Sequence, residues 1–229
     1  MACPQCESPV SDNATFCAAC GAAIKGAPAY PAPAEATAGR AEVEKLARAT
    51  LKTLNAIVVN PVDELPKIFA ELQKMEALKV GLVLAGLFDL CAIIGLYFAL
   101  PHWAGSPGFG DILKLLLLGI VPPAAITGAS ALARKTFQGK SGTIESDIFL
   151  AGVSLAPVGL LLLLSGLLGI GNIDIVTLVG VFALSYTILI LYVGCTQISQ
   201  ITTSRAVPAV PIVILIAGWL SKIIFAAMF

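Results

Sequence analysis

Charge is what this chain has least of. Asp, Glu, Lys and Arg make up 12% of its 229 residues, about half their share in an ordinary soluble domain. Meanwhile 58% of the residues are hydrophobic and the mean hydropathy is +0.92, a balance that rules out a soluble enzyme. Histidine is nearly missing, with His102 standing alone, so there is little material for acid–base chemistry. The formal net charge is zero and no basic patch builds up, so no nucleic-acid partner is expected. H-E-x-x-H, G-x-S-x-G with a matching histidine, and G-x-x-x-x-G-K-[ST] are all absent. These are the spacings needed by zinc hydrolases, serine hydrolases and phosphate-binding loops, and without them the expectation is that the protein is not an enzyme. There is also no basic start followed by an unbroken apolar stretch, as a secretory signal requires. The N-terminus is therefore expected to stay in the cytosol.

The charge that is present lies mostly at one end. Residues 1–79 hold nine acidic and eight basic residues of the 28 charged ones. Beyond them, apolar runs recur at about 80–100, 112–133, 148–170, 173–195 and 207–228, each long enough to cross a bilayer as a helix of about 20 residues. The expected fold is an all-α polytopic membrane protein with five transmembrane helices in 80–229, preceded by a small N-terminal zinc-ribbon knuckle.

The knuckle is read from cysteine spacing. Cys3-Pro4-Gln5-Cys6 and Cys17-Ala18-Ala19-Cys20-Gly21 form a paired C-x-x-C pattern in which each pair presents two thiolates. Four thiolates make a closed tetrahedral zinc site. Two disulfides would require an oxidising compartment, and some 24 residues cannot fold without a staple. Cys3, Cys6, Cys17 and Cys20 are thus the metal ligands of a structural Zn2+ in residues 1–24. Phe16 is its expected core residue, and Gly21 is expected to take positive φ. Residues 25–39, rich in alanine and proline, read as a linker.

Residues 40–79 read as amphipathic juxtamembrane helices. Val43, Leu46, Ala47, Thr50, Leu51, Leu54 and Val58 recur at helical spacing. Asn60-Pro61 interrupts them, and Leu65, Ile68, Phe69, Leu72 and Met75 form a second stripe. Such helices either lie in the headgroup plane or pack on each other and pair in a homo-oligomer.

Sidedness follows from the basic residues. With the N-terminus inside, twelve Lys and Arg fall on the inner side and only Lys114 and Lys222 toward the outer. The positive-inside rule then places the chain in the plasma or inner membrane with its N-terminus cytoplasmic and C-terminus outside. Two charges fall within spans, Asp89 and Lys222, and a salt bridge between them is feasible on depth. Pro122, Pro123 and Pro157 kink their helices. Gly81, Gly86, Gly159, Ser165, Gly166 and Gly169 permit close helix contact. Cys91 and Cys195 read as apolar packers, the latter also near enough to the inner end for acylation.

Taken together, Asn60-Pro61 with Phe69 ahead of the first span, Phe137-Gln138-Gly139-Lys140-Ser141-Gly142 leading to Pro157, and Ser204-Arg205-Ala206-Val207 give residues 55–229 a pattern that resembles the Yip family of five-span membrane proteins. With the zinc ribbon, the chain is similar to its prokaryotic members. The resemblance implies fold and topology. GTPase binding, a property of eukaryotic members, is not implied, because their Asp-Leu-Tyr-Gly-Pro type motif is missing and their glycine pair reads Gln138-Gly139.

The expected function is that of a non-enzymatic integral membrane protein displaying a cytosolic zinc-ribbon adaptor, which recruits a cytosolic or membrane protein partner or organises the bilayer. The alternative is a small transporter or channel using Asp89, Lys222 and the proline-broken helices.

Overall fold

The computed structural model describes residues 2, 3, 5–11, 17–20, 34–99, 108–168 and 173–228. Two compact units emerge, Met1–Glu44 and Lys45–Phe229. Pro4, Phe16, Gly21, Pro101, His102, Trp103 and Gly169 lie outside the described residues.

Among the described residues seven helices follow in order: α1 (Ala34–Val59), α2 (Pro61–Glu71), α3 (Lys74–Ala99), α4 (Phe109–Thr136), α5 (Ile144–Leu168), α6 (Ile173–Val193), continued by a π-helical segment Gly194–Ile198, and α7 (Thr203–Met228). Five of these reach membrane-crossing length and apolarity, over Lys74–Phe98, Ile112–Thr136, Ile144–Leu168, Thr177–Ile198 and Thr203–Ala227. The protein is therefore a multi-pass membrane protein. Helix α1 begins at Ala34, inside the stretch read as linker. Ala34, Glu35 and Ala36 are strong helix formers directly after Pro33, and propensity outweighs the composition that suggested a coil.

Helices α3 and α5 form the tightest pair, and glycine is the reason. On α5, Gly152, Gly159 and Gly166 recur every seven residues; on α3, Gly81 and Gly95 stand two such repeats apart. A Cβ on Gly152 would strike the Gly81 carbonyl, and one on Gly166 the Gly95 carbonyl. The backbones thus touch directly, as small residues allow inside a membrane. Gly86 is different, with nothing near it. Around this pair, α4 packs on α3, α5 and α7, and α6 packs on α5 and α7. Leu84, Phe149, Leu150, Val153, Ile190 and Leu191 are among the core residues.

The second half of α1 and all of α2 dock on this bundle. Leu65 and Ile68 are buried, and the Phe69 and Phe149 rings stand 5.3 Å apart. On α1 the buried face follows the expected stripe only in part, keeping Thr50 and, packed against the core, Leu46 and Leu54. Thr50, Thr53, Ala56 and Ile57 turn inward while Val43, Leu51 and Val58 stay exposed. The threonines tolerate burial because their hydroxyls donate back to the Leu46 and Ala49 carbonyls at 2.9 and 2.8 Å.

Proline chemistry joins these elements to α6. Pro61 has no N–H for the Ile57 carbonyl and Pro66 none for that of Val62. Tyr186 Oη donates to the first at 2.6 Å, and Gln197 Nε2 to the second at 3.3 Å. Asn60 caps α2 by accepting from the Asp63 N–H at 3.2 Å.

Candidate functional site

In the N-terminal unit a short turn brings the cysteines together. The Glu7 N–H donates to the Cys3 carbonyl at 2.9 Å and the Cys3 N–H to the Ser8 carbonyl at 3.0 Å, with an isolated bridge between Ala2 and Pro9. The chain can turn this tightly after Cys6 because Glu7 takes φ 57°, a left-handed conformation that costs a non-glycine residue about 1 kcal/mol. Gly21 holds the matching position after the second pair, so a residue next to a cysteine pair is the signal that would have marked Glu7.

The four sulfurs lie within 4.8 Å of one another, with Cys3 and Cys20 Sγ at 3.7 Å and Cys6 and Cys17 Sγ at 3.5 Å. Zinc–sulfur bonds of about 2.3 Å at tetrahedral angles put sulfurs about 3.8 Å apart, close to the two shorter pairs, so the four cysteines are gathered for one Zn2+. Cys3 and Cys17 are buried, whereas Cys6 and Cys20 face solvent. Hydrogen bonds from Ser8, with smaller contributions from Cys20 and Cys17, lower the Cys6 thiol to about 6. It is thus readily a thiolate, the form that binds metal. All four positions of the zinc are taken by protein, so the site stabilises the fold and leaves no opening for a substrate.

In the membrane unit the two expected charges are not brought together. Asp89 Oδ1 is buried without a hydrogen-bond partner beside Gly119 of α4, while Lys222 on α7 is exposed. The lean of the Lys222 stem toward Asp89 does not bring them together, because α7 packs on α4 and Gly119 occupies the space beside Asp89. Cys195 is buried, 3% exposed, which removes it as an acylation site.

A different pair forms instead. Arg134 Nη2 donates to Asp147 Oδ2 at 2.7 Å, with Asp147 fully buried. The third apolar run begins at about residue 148, just past Asp147. Helix α5 nevertheless starts at Ile144, because the Thr143 N–H and carbonyl are both held by Ser146 Oγ at 2.9 and 2.7 Å, and that start draws Asp147 inward. The room for Arg134 comes from Gly139 and Gly142, where added Cβ atoms would meet its Cγ and Cδ at 2.9 Å. Gln138 at φ 55° and the Gly139 N–H donating to the Arg134 carbonyl at 2.8 Å close α4 in a Schellman turn. Residues 137–142 and 204–207 meet there, since Arg205 Nη1 donates to the Phe137 carbonyl at 3.2 Å and to Gln138 Oε1 at 3.0 Å.

Residues 3–24 match the family model of the zinc-ribbon domain. No curated protein and no solved structure matches the chain.

Proposed function

We propose that the protein displays its zinc ribbon as an adaptor on the cytosolic face of the plasma or inner membrane, where it recruits a protein partner or organises the bilayer without catalysing a reaction. The observation that carries this reading is a closed four-cysteine site in a compact unit separate from the five-span body. A metal with no free position serves to hold a surface in shape. Twelve inner Lys and Arg against two outer ones support a cytosolic N-terminus, a compartment that also keeps thiols reduced. A Yip-like body is supported by the five spans and by the meeting of residues 137–142 with 204–207.

The test compares in-membrane crosslinking of the intact chain with its Cys3→Ser variant. Loss of one ligand should release zinc and unfold the ribbon, because binding energy is folding energy at such sites. Crosslinked partners should then disappear while the body still inserts. An unchanged partner set in a zinc-free variant would sink the adaptor role, and a C-terminal reporter facing the cytosol would sink the orientation.

A further inference from the structure

Between α3, α4 and α5 lies a cavity of about 640 Å³ that the adaptor role does not use. Among the described residues, Asp89 and Thr127 carry the only polar side chains in its lining. Thr127 is committed, its hydroxyl donating to the Pro123 carbonyl at 2.8 Å. Asp89 is not, since Oδ1 is buried without a partner, seated so closely on Gly119 that no Cβ would fit there. Among the described residues no other ionisable group lines the space. Lys79 on α3, Lys114 on α4, and Glu145 and Asp147 on α5 all lie nearer their helix ends. Lys222 lies outside the lining as well. Leu82, Ile120 and Ile144 at the rim are each at least 50% exposed, so the cavity opens on the apolar surface of the bundle.

Asp89 stands nine residues from the Phe98 end of its span, ~14 Å at 1.5 Å per residue, and a bare carboxylate is costly at that depth. Pro122 and Pro123 have no N–H, so the Leu118 and Gly119 carbonyls lose their helical donors. Among the described residues the lining offers Asp89 no counter-ion, which suits a carboxylic acid better than a carboxylate. A metal cation would want about six oxygens, more than one carboxylate and a committed hydroxyl provide.

We propose that Asp89 is a reversible proton-binding site within the membrane, its neutral acid form held beside this cavity. A proton passes from hydronium to a carboxylate oxygen, leaving water, and the reverse transfer empties the site.

Dicyclohexylcarbodiimide tests this on the full-length protein in liposomes. The acid proton moves to a carbodiimide nitrogen and the carboxyl oxygen bonds to the central carbon, after which rearrangement gives a stable N-acylurea that retains every atom of the reagent. Mass spectrometry of the Asp89 peptide should show the adduct at about pH 6 and a rate that falls as the pH is raised toward about 9, as loss of the acid form requires. Asp89→Asn should abolish the adduct and Asp89→Glu restore it, both variants retaining ribbon zinc and a monodisperse profile. No adduct at either pH, equal rates at both, or protection by added sodium would overturn the proposal.

Discussion

Asp147 and Asp89 both lie in membrane-spanning helices of one bundle, and the chain handles their charge in opposite ways. Asp147 sits in the first turn of α5, fully buried, and receives Arg134 at 2.7 Å. Two glycines and a Schellman turn are arranged so that the guanidinium can reach it. Asp89 has a glycine beside it too, yet that glycine admits the carboxyl itself, and no cation follows. The first aspartate is built into the fold as half of an ion pair. The second is fitted into apolar surroundings that favour its neutral form. Depth alone does not decide what an intramembrane carboxyl does; the partner supplied by the neighbouring helix decides it.

Removing that partner is the harshest way to break the comparison. Arg134→Ala leaves Asp147 buried and uncompensated, and a loss of about 3–5 kcal/mol is expected, read as a fall in the thermal midpoint of the detergent-solubilised protein. Replacing both, as Arg134→Met with Asp147→Leu, should recover most of that loss. The pair is incompletely satisfied, with Arg134 Nε and Asp147 Oδ1 lacking partners, and such pairs give back little against well-packed apolar residues. A double variant as unstable as the single one would show that the loop geometry, rather than charge compensation, holds this end together.

A gentler change acts on the room made for Arg134. Gly142 has φ 102°, and a Cβ there would meet the Arg134 Cδ at 2.9 Å. Gly142→Ala should therefore cost about 1–3 kcal/mol from strain and crowding together, with chemical denaturation of the solubilised protein as the measurement. The same substitution at Gly86, which has open space around it, should be tolerated without such a loss.

Much of this molecule was legible in its residues, and the failures have a common cause. The five spans were plain because hydropathy reports on a single helix, and the ribbon because four thiols at fixed spacing have few other uses. Relations between helices were harder to read. Depth arithmetic put Asp89 within reach of the long, inward-leaning Lys222 stem but carried no information on which helices are neighbours. Asp147 lies just before the apolar run that marks the third span, because a charge ends such a run, whereas the edge of the helix is set by the Thr143–Ser146 cap. The buried face of α1 was rotated in part away from the most apolar stripe because threonine can satisfy its hydroxyl on its own helix. The seven-residue glycine repeat of α5 was visible in part through Gly159 and Gly166, but its match to Gly81 and Gly95 requires knowing that α3 is the partner.

The smallest expected effect belongs to Asp89 and sharpens the comparison most. Asp89→Asn replaces a neutral acid by a neutral amide of nearly the same shape, so if the acid is the resident form the change in stability should stay within about 1 kcal/mol. The same exchange at Asp147 removes the negative half of a buried pair and leaves Arg134 uncompensated, for which about 3–5 kcal/mol is expected. Thermal unfolding of the two variants side by side separates the cases. Equal losses would mean that Asp89 is held as a charge by contacts of the same kind as those on Asp147, whereas a loss confined to Asp147→Asn leaves Asp89 as a carboxyl that the fold accommodates without depending on its charge.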